Sequence, residues 1–142
     1  MIWLIQFAMC TMMPRTDALP GIVDADVRGF LRRMRRDADS LYWLGLAVGA
    51  VIFAISPILT VWLPLPAFLL PQKLLARHSE RILAHRIYVV RQAVFLVRLS
   101  AGMCWGADAA VRARFALLPY APDPGTFRQS GVDRPAAELL RP

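Results

Sequence analysis

The sequence predicts an all-α fold: membrane-associated helices around a central apolar helical hairpin or kinked span, closed by a proline-rich extended C-terminal arm. Three observations predict it. Residues 41 to 71, "LYWLGLAVGAVIFAISPILTVWLPLPAFLLP", contain no charged side chain. Hydrophobic residues make up 57% of the chain and the mean hydropathy is +0.45, above the roughly 45–50% apolar content of ordinary soluble domains. The segments on either side repeat their apolar residues at helical spacing, with arginines on the opposite side.

The first element is the apolar stretch "MIWLIQFAMCTMMP". It lacks the basic start and small-residue cleavage site of a signal peptide, and it falls short of the roughly 17–25 residues a spanning helix needs. An interfacial anchor and an overlong start both fit, so residues 1–18 are expected to be a leader outside the main domain.

Pro14, Pro20 and Gly21 separate that leader from "DADVRGFLRRMRRDADSL". On a helical wheel Val27, Phe30, Leu31, Met34, Ala38 and Leu41 share a stripe about 100° wide. Arg28, Arg32, Arg35 and Arg36 lie outside it. Asp24 and Asp26 fall at the start, where carboxylates oppose the helix dipole favourably. Five arginines against four aspartates leave a net charge of only +1 on this helix, which suits a protein partner as well as anionic lipid.

The charge-free stretch comes next. Tyr42 and Trp43 stand at its entry, where aromatics favour the headgroup level. Gly45 and Gly49 have GxxxG spacing, a weak packing signal. Pro57 interrupts the helix; Trp62, Pro64, Pro66 and Pro71 punctuate the remainder of the stretch. Two full spans would need about 40 residues, more than this stretch supplies. A tilted, kinked span and a hairpin that enters and leaves by one face both remain, with a buried soluble hairpin third. Flanking charge favours the hairpin. Residues 26–40 hold five arginines, and residues 72–86 hold Lys73, Arg77, Arg81 and Arg86, so the positive-inside bias has almost no asymmetry to act on.

Residues 73 to about 105 read as one long helix. Ile82, Val89 and Leu96 repeat at seven, as do Leu83, Val90 and Val97, while Arg77, Arg81, Arg91 and Arg98 gather on the other side. Arg86 lands on the apolar face and breaks the pattern. Arg91 and Arg98 would cost several kcal/mol each at a bilayer centre, so this helix is expected along an interface or against a protein. A short helix from Asp108 to about Leu118 comes after it.

The remainder, residues 119–142, is too rich in proline for a long helix. It is a free tail or an arm laid over a partner; Tyr120 and Phe127 favour the arm. Residues 19–118 form the single helical domain between leader and arm.

Catalytic constellations are not visible. No GxSxG elbow, glycine-rich phosphate loop, HExxH or CxxC occurs, so no catalytic, metal or cofactor-binding residue is assigned. Cys10 and Cys104 lack ligand or multi-disulfide spacing and read as small apolar groups. His78 and His85, seven apart, are too distant to bind one metal and read as structural or solvated. The formal charge is +7 with pI about 10.7, and sixteen of the seventeen basic residues are arginine. Coding bias explains that as well as anion recognition does. The arginines adjoin apolar runs, which points to lipid headgroups or an acidic protein and away from nucleic acid.

The segments "LPGIVDADVRGFLRRMRRD", "PLPAFLLPQKLLARH" and "LVRLSAGMCWGADAAVRARFALLPYAPDPGTFR" resemble small bacterial proteins encoded beside glucose–methanol–choline (GMC) type flavin oxidoreductases. The resemblance spans roughly residues 19 to 128, omits the leader, and offers no invariant catalytic residue. It implies a non-catalytic accessory subunit that holds a flavin-dependent dehydrogenase at the bacterial inner membrane, with FAD in the large partner. Arg91, Arg98, Trp105, Tyr120 and Phe127 are then the expected partner interface. Tyr42, Trp43, Gly45, Gly49, Pro57 and Trp62 are the expected membrane-embedded set. The rival reading is a structural subunit of a respiratory or photosynthetic membrane assembly. A stand-alone lipid enzyme comes third.

Overall fold

A computed structural model describes residues 1–117. All regular structure among them is helical. The helices are α1 (Ile2–Met12), α2 (Val27–Asp37), α3 (Ser40–Ile55), α4 (Pro57–Thr60), α5 (Gln72–Leu83), α6 (Tyr88–Ala107) and α7 (Ala109–Arg114), with 3-10 turns at Ile22–Asp24 and Ala67–Leu69.

Capping carboxylates set three of the helix starts. Asp26 accepts from the Gly29 amide (2.9 Å) at α2, Asp39 from Leu41 (3.1 Å) at α3, and Asp108 from Ala110 (2.9 Å) at α7. Each satisfies an amide that has no partner within its own helix. The expected amphipathic helix is therefore present as α2, with Val27 and Leu31 buried and its arginines exposed. Leu41, placed at the end of that stripe, belongs instead to α3 and is exposed.

The centre of the molecule is the α3–α6 pair. Tyr42 meets Ser100 (Oη to Oγ 2.8 Å), while Gly45 lies against Leu96 and Gly49 against Ala93 and Val97. Rising numbers on α3 meet falling numbers on α6, so the pair is antiparallel. At Gly49 the missing side chain is what permits the approach, because a Cβ there would run into the Ala93 carbonyl oxygen.

Three expectations are corrected. The leader helix α1 does not stand apart: it packs on α2, α3, α5 and α6, and Ile5, Ala8 and Met9 are fully buried. The charge-free stretch does not fold back as a second helix. Pro57 starts a single four-residue turn, and proline-rich chain whose one regular element is the 3-10 turn Ala67–Leu69 succeeds it, because each proline withholds an amide from the ladder. The helical partner of α3 is α6 instead. Finally, residues 73–105 are two helices bent by 117°, parted at Ala84–Ile87. Arg86, out of place on one continuous helix, sits exposed in that break.

Among the described residues no single helix is long and apolar enough to cross a membrane; α5 and α6 together meet that length and composition as a bent pair.

Candidate functional site

Pro57 has a consequence four residues earlier. The Phe53 carbonyl would pair with the amide of residue 57, which proline lacks. His78, fully buried on α5, supplies the replacement: its Nε2–H donates to the Phe53 oxygen at 2.9 Å. A carbonyl cannot donate, which fixes the proton on Nε2. In the neutral ring Nδ1 then accepts from the Thr60 hydroxyl, 2.5 Å away. Three residues on, Arg81 Nη1 donates to the Thr60 carbonyl (2.6 Å), closing the end of α4. Burial lowers the His78 pKa from its ordinary 6.5, and the bond to Phe53 offsets this only in part.

This cluster resembles catalytic machinery only in its residue types. Both imidazole nitrogens are occupied by the fold, the ring is packed 4.7 Å from Phe53, and the Thr60 hydroxyl bonded to it is itself buried. It fastens α5 to the broken end of α3. The sequence marks His78 as structural or solvated but does not disclose its partners. The available signal is a proline four residues after a helical carbonyl.

The thiols are equally quiet. Cys10 is half-buried and Cys104 buried, both free. Burial raises the Cys10 pKa, and burial reinforced by Asp26 pushes Cys104 up to about 11. Reactive cysteines need the opposite shift.

Open hollows line the surface. One of 330 Å³ between α1 and α5 is walled by Phe7, Cys10, Thr11 and Leu75. Beside it, one of 200 Å³ is bounded by Ser79, Glu80 and Arg98. Another, of 370 Å³, lies between the residue 15–20 loop and α7, with Arg15, Asp17 and Arg114 at its rim. The Ser79 hydroxyl, beside Glu80, donates to the Leu75 carbonyl (3.0 Å). Among the described residues no group of three His, Cys, Asp or Glu side chains is placed to hold a metal.

Of the expected interface residues Arg91, Arg98 and Trp105 are described, spaced seven apart along α6. Arg91 lies over the Tyr88 ring (5.5 Å), and Arg98 faces the α5 groove. Trp105 is an internal fastener: its indole N–H donates to the Pro20 carbonyl (2.8 Å) and its ring meets Phe115 edge-on. Tyr120 and Phe127 lie outside the described residues. Of the expected membrane-embedded set, Gly49 and Pro57 are buried and Tyr42, Trp43 and Gly45 half-buried, Trp43 beneath the Arg35 guanidinium (5.9 Å). Trp62 alone points outward, 84% exposed.

What the surface does gather is apolar area. Leu41, Leu44, Val48 and Ile55 on α3, and Val89, Phe95, Leu99 and Met103 on α6, are exposed. A second concentration is the segment after α4. Patches of this kind on a small body mark interaction surfaces more often than chance exposure does.

No family model matches the chain, and neither does any curated protein or solved structure.

Proposed function

We propose that the chain is a non-catalytic accessory subunit that attaches a larger oxidoreductase to a membrane. One observation supports this reading: extensive exposed apolar surface on a body whose buried polar groups are all committed to closing the fold. Among the described residues no buried side-chain nitrogen or oxygen lacks a hydrogen-bond partner.

The partner's identity rests on the resemblance of residues 19–128: a GMC-type flavin-dependent dehydrogenase carrying FAD, held at the bacterial inner membrane near a lipophilic substrate or a quinone pool. The chain's role in it is placement. Attachment is interfacial, with the helices packed on one another and the outward apolar segments meeting lipid or partner.

A mild-detergent pulldown of the tagged chain from native membranes tests this. The expected eluate contains a large co-eluting flavoprotein with a visible flavin absorbance band. Deleting residues 119–142 is expected to release that protein while the truncated chain stays with the membrane fraction. A flavin-free eluate of intrinsic membrane proteins would instead establish the structural-subunit alternative.

A further inference from the structure

We infer that the segment Ile58–Leu69 is the part of this chain that enters the lipid, with Trp62 at its tip and cationic groups at its base that select anionic headgroups. The inference rests on the membrane-accessory reading and assigns it a surface.

Exposure comes first. Ile58, Leu59, Trp62, Leu65, Phe68 and Leu69 are all at least 42% exposed, and Trp62 reaches 84%. Half of a twelve-residue segment is therefore large apolar side chain held in solvent. Its only hydrogen-bonding side chains are the Trp62 indole and Thr60, and Thr60 is buried and bonded. A protein interface carries roughly one hydrogen bond per 100–200 Å², and this segment has almost nothing to offer toward that. The headgroup boundary asks for none from side chains, and there the irregular backbone keeps its water.

Rigidity is the second observation. Pro57, Pro64, Pro66 and Pro71 restrict the backbone, while His78 and Arg81 fix its base to α5. Phe68 is held from the other side by Trp3 at 5.6 Å and Phe7 at 6.4 Å. The apolar residues are displayed in advance, so little ordering remains to oppose binding. Trp62 itself has φ 59°. That left-handed backbone is strained for an aromatic residue, and strain held at an exposed position points to use. Tryptophan is the residue that favours the membrane–water boundary.

Charge names the surface. From Ser40 to Ser79 the sequence contains no aspartate or glutamate. Lys73, Arg77 and Arg81 succeed one another at four-residue spacing along α5, within about 80° of arc, and Arg81 touches the segment directly. Glu80 lies toward the groove with Arg98. Trp3, which meets Phe68, shares a hollow with Arg28 and Arg32. An apolar tip with cationic groups at its base is complementary to a bilayer carrying anionic lipid, where each basic residue near the surface adds to attraction.

The test is flotation of the full chain with phosphatidylcholine vesicles, with and without phosphatidylserine. The wild type should bind both, more tightly with phosphatidylserine. Trp62→Gly should weaken partitioning about tenfold while its melting temperature holds or rises, since glycine relieves the strained φ; a folded, non-binding variant separates insertion from stability. Lys73→Gln with Arg77→Gln should remove the phosphatidylserine preference and leave the basal binding. Vesicle binding unchanged by Trp62→Gly would overturn this assignment and leave membrane attachment standing elsewhere, on the α3–α6 face. No binding of the wild type to either vesicle would overturn both. Loss of self-association by Trp62→Gly, with vesicle binding intact, would hand the segment to a second copy of the chain.

Discussion

At the scale of single residues the fold depends on a substitution of donors. Pro57 takes an amide from the Phe53 carbonyl, and His78 returns an N–H to it. Replacing His78 with leucine keeps volume but leaves that carbonyl unpaired, a cost of about 1–3 kcal/mol. The same residue sets a pH dependence. Its folded pKa lies below the ordinary 6.5 because burial disfavours the imidazolium. As pH falls from 6.5, the unfolded chain takes up the proton first. Stability is therefore whole above 6.5 and is lost as pH falls through the folded-state value. Thermal melts across that window should show a falling melting temperature for the wild type, and His78→Leu should lack the His78 component of that slope. Identical slopes in the two proteins would remove His78 from the account. The sequence made Pro57 legible as a helix stop. The donor that answers it lies twenty-one positions along the chain, and only the packing of α5 onto α3 brings the two together.

At the scale of elements the decisive contact is α3 on α6. Glycine spacing signals close helix approach, and the structure assigns that approach to one partner within the chain. Three glycines should respond differently to alanine. Gly49→Ala drives a Cβ into the Ala93 carbonyl oxygen, a backbone atom that can yield only if the helices part; a loss of about 1–3 kcal/mol is expected. Gly45→Ala meets only the end of the Leu96 side chain at 3.0 Å, which can rotate. Gly106→Ala meets nothing within 4 Å inside the last turn of α6 and should stabilise by up to about 1 kcal/mol. Chemical denaturation of the three variants orders them, and a Gly49→Ala protein as stable as Gly106→Ala would show that α3 and α6 are not closely packed. The α5–α6 break escapes sequence reading because Ala84–Ile87 contains neither proline nor glycine. What ends α5 is local: His85 Nδ1 accepts from the Ile87 amide at 3.2 Å. Arg86 on an apolar face is the one legible symptom of a helix that does not continue.

At the scale of the whole molecule the apolar content divides between a core and a display surface, and composition alone cannot apportion it. The helix α1 shows why. Eleven apolar-rich residues at the start of a chain satisfy the length argument for an anchor, since they are too short to span. They satisfy a core helix equally well, and the choice depends on whether α2, α3, α5 and α6 leave a slot. They do: Ile5, Ala8 and Met9 are fully buried and Met12 nearly so, and Phe7 reaches Phe53 at 6.2 Å. Losing a buried aliphatic side chain costs about 2–5 kcal/mol, against a total of about 5–15 kcal/mol for an ordinary domain. Deleting residues 1–12 removes several at once and opens the interior to solvent. The truncated chain should therefore show no cooperative thermal transition by circular dichroism, in the same detergent in which the full chain melts sharply. Met9→Ala, a graded version of the same loss, should melt cooperatively at a lower temperature. A detachable leader gives the opposite pattern: the deletion would leave the melting temperature of the body unchanged and lower only its affinity for vesicles. The body and the surface it displays then come apart experimentally, because removing α1 dissolves the core while Trp62→Gly leaves it whole.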